Sequence, residues 1–136
     1  MAIRFEGLDE VFNELDNLNN PESIEKGLQK ACLIVEAAAK QKAPKGNGEL
    51  RRSITSKVEG FTGVVFTPLE YAPYVEYGTG LFAEEGGRQD VPWSYKDEKG
   101  EWHTTYGMNP QPYMRPALEE NREEVIKAIK EGIMND

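Results

Sequence analysis

Histidine and cysteine are almost missing from this chain of 136 residues, which has one of each, His103 and Cys32. A single cysteine rules out an intramolecular disulfide. One His and one Cys far apart in sequence do not make a zinc set of thiolates and imidazoles. Basic charge is short as well: 16 Lys and Arg stand against 24 Asp and Glu, for a net charge of −8. A nucleic-acid binder draws most of its affinity from cations on phosphates, so this balance argues against that role, although a local basic patch can survive the average. Long apolar runs are absent too. The longest is Ala31 to Val35, far below the roughly 20 residues of a membrane span. The start, MAIRFEGLDE, lacks the charged opening and apolar run of a signal peptide. The expectation is a protein made and kept in a cytoplasm, with no membrane partner.

What is present suits one globular domain over residues 1–136. Hydrophobic residues make up 38% and charged residues 29%, a composition that builds a core and does not stay disordered. A chain of this length buries roughly two-thirds of its unfolded surface.

Periodicity then divides the chain. Ala2 to Glu6 reads as a short strand or arm. Leu8, Val11, Phe12, Leu15 and Leu18 recur at helical spacing and predict a short N-terminal helix ended by Asn17, Asn19 and Asn20. Asn20-Pro21 restarts the chain as a cap followed by a first-turn proline. Ile24, Leu28, Ala31, Val35 and Ala38 form the face of a long helix. Cys32, Leu33, Ile34 and Ala39 widen that face, and Pro44 and Gly46 stop the helix. Gly46 to Glu49 reads as a loop. Leu50 to Val58 and Phe61 to Phe66 read as strands joined at Gly60. Leu69 to Tyr77 is either a helical turn or an edge segment, and Leu81 to Gln89 a mobile loop. Trp93 to Lys96 and Glu101 to Tyr106 predict a hairpin around Asp97-Glu98-Lys99-Gly100. After the rigid Asn109-Pro110-Gln111-Pro112, a final amphipathic helix begins near Met114, marked by Leu118, Val125, Ile129 and Ile133. The fold class is α+β: an antiparallel sheet packed by two long helices, with a short N-terminal helix.

The search for chemistry returns no catalytic, cofactor or metal residues. His103 reads as a surface strand residue, and no Gly-x-Ser-x-Gly nucleophile motif accompanies it. Glu84-Glu85 and Glu119-Glu120 read as solvated charge. Gly46 and Gly48 precede a predicted strand with no Lys-Ser/Thr after them, so they form a turn and not a phosphate loop. Arg51-Arg52 reads as sheet surface or an interface ion pair. The middle of the chain is rich in aromatics, among them Tyr71, Tyr74, Tyr77, Trp93, Tyr95, Trp102 and Tyr106. These supply core, interface, or both, because Tyr and Trp are enriched where proteins meet. The long loop from Gly78 to Asp90 points the same way.

Three segments carry a family resemblance. They are Ala43-Pro44 followed by Gly48-Glu49-Leu50-Arg51-Arg52-Ser53-Ile54, then Glu70-Tyr71-Ala72-Pro73-Tyr74-Val75-Glu76-Tyr77-Gly78-Thr79, then Pro110-Gln111-Pro112-Tyr113-Met114-Arg115-Pro116-Ala117-Leu118. In this order and spacing the chain resembles the family of small phage morphogenesis proteins named after the tenth gene product of the lambdoid coliphage Hong Kong 97. The turn Lys45-Gly46-Asn47-Gly48 departs from the Val-Asp-Thr-Gly type of turn common there. The motif positions are Gly48, Leu50, Ser53, Tyr71, Pro73, Tyr74, Gly78, Pro112 and Pro116, taken as mostly structural. The resemblance implies a virion subunit without enzymatic activity that assembles in the host cytoplasm. It implies a homo-oligomeric ring, at the head–tail junction or capping the tail tube, in contact with other tail or connector proteins. DNA would pass through such a ring without specific binding. On that reading Gly78, Thr79, Gly80, Leu81, Phe82, Trp93 and Trp102 are the expected subunit contacts. The alternatives are a minor capsid or neck protein, a small hydrolase using acids and His103, or a nucleic-acid-binding regulator.

Overall fold

Pro21 opens the longest helix, where its missing N–H costs nothing and its fixed φ suits the first turn. The computed structural model describes residues 1–6, 21–46, 48–84, 86–87, 90–97 and 99–134. The expected N-terminal helix over Leu8 to Leu18 lies outside these residues. The chain divides into two compact units, Met1–Leu69 with Tyr113–Asp136, and Glu70–Pro112.

In the first unit, helix α1 (Pro21–Lys42) buries Ile24, Leu28, Ala31, Cys32, Val35 and Ala39. Spacings of three and four place these side chains on one stripe, and each large apolar one buried contributes about 1.5–3 kcal/mol. Ser23 is buried on the same stripe. Leu33, expected to widen the stripe, is instead 61% exposed. It sits well off the line running through residues 24, 28, 31 and 35, so it faces water.

Strands β1 (Ala2–Phe5), β2 (Thr55–Glu59) and β3 (Thr62–Phe66) form an antiparallel sheet in the order β1-β3-β2. The register pairs Ile3 and Ser56 with Val65, and Phe5 and Val58 with Gly63. Pairs on one face alternate with pairs on the other. The face carrying Phe5, Gly63 and Ser56 lies against α1: a Cβ on Gly63 would meet the Phe5 ring and Cys32 Sγ, and Ser56 Oγ donates to Glu36 Oε1 at 3.1 Å. On the other face Lys57 lies over the Phe66 ring, 5.2 Å from its centroid, and pairs with Glu59 at 2.6 Å. The hairpin between β2 and β3 closes at Gly60, whose φ is +58°, as its sequence position suggested.

The sheet starts later than expected. Glu49–Ser53 is a short helix, α2, so the strand begins at Thr55 and not at Leu50, and Gly48 precedes a helix. Leu50 and Ile54 stand four residues apart and are both buried, the spacing of one helical turn as well as of two strand steps. Arg51 and Arg52 therefore sit on a helix rather than on a sheet surface.

The final helix is interrupted. It forms as α4 (Met114–Glu119) and α5 (Arg122–Met134), which follow α3 (Ala72–Tyr77) of the other unit in chain order. Asn121 Nδ2 donates to Ala117 O at 2.8 Å, and this side-chain bond replaces the continuing backbone pattern. Met114, Ala117, Val125, Ala128 and Ile129 are buried, and α5 packs along α1. Tyr113 is fully buried. Lys42 pairs with Glu120, and Lys30 pairs with Glu131 at 3.0 Å. The long C-terminal helix expected from the sequence is thus two helices, and α1 is the one long uninterrupted helix among the described residues.

The second unit holds helix α3 (Ala72–Tyr77), a 3-10 turn (Gly80–Phe82), and a hairpin of β4 (Trp93–Lys96) and β5 (Trp102–Thr105). The segment left open between turn and edge in the sequence is thus helical over its second half. No described helix is long and apolar enough to cross a membrane.

Candidate functional site

Pro73 begins the first turn of α3 and leaves Tyr74 and Tyr77 on the outer side, 58% and 41% exposed. Ala72, Val75 and Glu76 turn inward and are buried. The helix ends at Gly78, whose N–H donates to Tyr74 O at 2.9 Å and whose φ is +82°. That left-handed conformation favours glycine. A Cβ there would also strike Met108 O and the Pro110 ring.

Beyond Gly78 the chain pairs with the segment after β5. Thr79 N–H donates to Met108 O at 2.9 Å, and Met108 N–H reaches Thr79 Oγ1 at 2.9 Å. Leu81 N–H donates to Tyr106 O at 3.1 Å, and Glu84 N–H returns to Tyr77 O at 3.0 Å. These bonds hold a groove of about 740 Å³, lined by Pro73, Tyr74, Tyr77, Ala83, Glu84 and Trp93 along with glycines of the loop. Its walls are largely apolar and aromatic, and among the described lining residues the acid is Glu84. The volume matches that of sites which enclose a small ligand or a few side chains.

The hairpin is two-sided. Trp93 pairs with Thr105 and Tyr95 with His103 on one face, and Ser94 with Thr104 and Lys96 with Trp102 on the other. The Tyr95 and His103 rings lie 5.4 Å apart. Trp93 and Trp102, both expected as subunit contacts, therefore project to opposite sides. Trp93 lines the groove, while Trp102 is 69% exposed.

At the hairpin tip Asp97 Oδ1 accepts from Lys99 N–H at 2.9 Å and Glu101 N–H at 2.8 Å, and His103 Nε2 lies 2.6 Å from Asp97 Oδ2. The His103 hydrogen bond is the largest cause holding the Asp97 carboxyl below its ordinary range. The Glu101 N–H adds to it, partial burial opposes it, and the Lys99 N–H adds again. Asp97, Glu101 and His103 each bring a possible metal-ligand atom within 4.8 Å of the others. This grouping was missed in the sequence, although residues two apart on a strand share a face. Both Asp97 oxygens are already engaged in shaping the turn.

The sequence-predicted positions fall into three groups. Gly78, Thr79, Gly80 and Trp93 line the groove. Gly78 and Gly80 are themselves buried and shape it. Leu81 and Phe82 are 53% and 44% exposed, and Trp102 stands on the far face of the hairpin. Among the motif positions, Gly48 takes φ +81° before α2 and Leu50 is buried. Ser53 Oγ donates to Leu50 O at 2.6 Å. Tyr71 precedes α3, and Pro116 lies in the first turn of α4, where it costs no helical hydrogen bond. Pro112 is exposed. His103 is an exposed strand residue, as expected. Of the other groove residues, Tyr77 is expected only as one of the core or interface aromatics and Glu84 only as solvated charge, and nothing in the sequence singles out Ala83 or the buried Glu76. The aromatic and acidic content around them was the available signal.

Residues 7–78, more than half of the chain, match the family model described as "Bacteriophage HK97-gp10, putative tail-component". The chain belongs to this family of bacteriophage tail components. The matched span holds the first motif segment and all of the second but Thr79, and ends at Gly78, within the groove-forming region. Neither a curated protein nor a solved structure matches the chain.

Proposed function

We propose that this tail component is a structural subunit for tail completion or head–tail joining, without enzymatic activity, that assembles in the host cytoplasm into a ring at the tail–head junction. The observation that carries this reading is the distribution of exposed apolar surface. Of the ten large hydrophobic side chains exposed among the described residues, eight belong to Glu70–Pro112: Tyr71, Tyr74, Tyr77, Leu81, Phe82, Tyr95, Trp102 and Tyr106. A small unit that leaves so much aromatic surface in water is built to be covered by protein. The subunit contacts are assigned to the groove loop Gly78, Thr79, Gly80, Leu81 and Phe82 and to Trp93 and Trp102. A ring requires two different patches per subunit that close by rotation. The net charge of −8 suits a wall past which DNA slides without binding.

The test is deletion of the gene from the phage or prophage that carries it, followed by electron microscopy of the induced lysate. Filled heads beside unattached or overlong tails are expected, with tail length separating completion from joining. Normal infectious particles would overturn the reading. A His103→Ala phage is expected to plaque normally, whereas loss of infectivity with an intact fold would favour a hydrolase.

A further inference from the structure

Charge is distributed unevenly along the chain. Residues 70–112 hold eight acidic and three basic residues, a net charge of −5. Along the sequence residues 40–52 run the other way, with Lys40, Lys42, Lys45, Arg51 and Arg52 against Glu49, a net charge of +4, although Lys40 and Lys42 are already paired with Glu36 and Glu120. The basic stretch spans the end of α1, the corner after it, and α2. At that corner Lys45 is exposed and Pro44 half-buried. Gly46 takes φ +35° and has open space on its side-chain side. The corner therefore presents the Lys45 ammonium to solvent beside the Pro44 ring. The groove is concave and aromatic and carries the Glu84 carboxylate.

We infer that the groove receives the Pro44-Lys45-Gly46 corner of the next copy of this chain, an inference that rests on the ring reading. Aromatic grooves favour proline rings, which bring little conformational entropy to lose. A lysine stem packs along apolar surface, with its ammonium over a ring face or beside a carboxylate. Pro44 enters against Tyr74, Tyr77 and Trp93, and Lys45 meets Glu84. Two grooves facing each other would instead bring two acidic units together. Groove and corner are different patches on one chain, so the contact is head-to-tail, the kind that closes a ring by rotation.

The experiment uses the phage that carries the gene, with Lys45→Glu, Glu84→Lys and both exchanges together. Each single reversal is expected to lower the infectious titre by about tenfold or more, and the double exchange to recover most of it. In particles carrying Lys45→Cys with Glu84→Cys, mild oxidation is expected to give a ladder of covalent multimers that neither single cysteine gives; Cys32 is buried. The inference is overturned if the single reversals leave the titre unchanged. It is also overturned if the double exchange is no better than the singles, which would leave the groove to a basic segment of another tail protein, or if the cysteine pair yields no multimers. In each of these cases a deletion phage that still fails to join heads and tails keeps the ring reading. A deletion phage with normal particles removes both.

Discussion

Gly27 and Gly132 meet backbone to backbone where α1 packs against α5. A Cβ on Gly132 would stand 2.5 Å from Gly27 Cα and 2.6 Å from its nitrogen, and one on Gly27 would stand 2.7 Å from Ile129 O. Backbone cannot yield as a flexible side chain does. Alanine at either site gains about 1 kcal/mol of helix propensity but forces the helices apart, at a cost of about 1–3 kcal/mol. Gly27→Ala and Gly132→Ala are each expected to lower the urea midpoint. A rise in the midpoint would show that the helices do not approach this closely.

The motif residue Ser53 belongs to a directed relay of hydrogen bonds. Leu69 N–H donates to Thr67 Oγ1 at 3.3 Å, and Ser53 and Thr67 hydroxyls lie 2.7 Å apart. Because Ser53 gives its proton to Leu50 O, Thr67 is the donor between the two. Thr67 is buried, so breaking the pair strands a polar group. Ser53→Ala and Thr67→Val are each expected to cost about 1–3 kcal/mol. The double variant is expected to cost less than the sum, measured by denaturation. Strict additivity would remove the coupling.

Asp97 gives the β4–β5 hairpin a defined response to acid. Its carboxyl titrates below its ordinary value in the folded hairpin, so the unfolded state takes up protons first as pH falls. The stabilisation is therefore complete above about pH 3.9 and fades as pH drops through the depressed folded value. Trp102 emission in the native protein is expected to hold steady down to mild acid and then shift as the turn loosens. Asp97→Asn is expected to start in the loosened state at neutral pH and to lack that step. The same acid step in both proteins would assign it elsewhere.

Cys32 is expected to be silent toward thiol reagents. Burial pushes its thiol pKa up, a backbone hydrogen bond from Val64 opposes that, and Glu36 adds to it. Since only the thiolate reacts, labelling requires opening of the α1–sheet layer. Native labelling is expected to run slower than in urea by roughly two orders of magnitude or more. Equal rates would mean the layer is open in solution.

How much of this was legible in the sequence depended on the length over which a pattern repeats. α1 shows its stripe over 22 residues, and the two hairpins carry glycine and aspartate turn signals, so all three stood out. α2 spans five residues, and Leu50 with Ile54 fits either period. The break between α4 and α5 falls at Asn121, whose side chain takes the Ala117 carbonyl while its N–H turns to Leu118 O, and neither bond leaves a mark on hydrophobic spacing. The groove was legible only as composition. Its walls come from residues 73–77, the loop that follows, and Trp93, and only backbone pairing such as Thr79 with Met108 brings them together. The opposed directions of the two tryptophans followed from register, which the length of the turn leaves open.

That opposition gives the protein two separate optical channels. Trp93 and Trp102 are the only tryptophans in the chain, and one looks into the groove while the other looks out from the reverse of the ribbon. A partner that fills the groove changes the colour and quenching of the first and leaves the second alone. A partner that covers the reverse face does the opposite. With each tryptophan replaced in turn by phenylalanine, ordinary fluorescence can report which side of the hairpin has been occupied, and in which order, while a tail is being built.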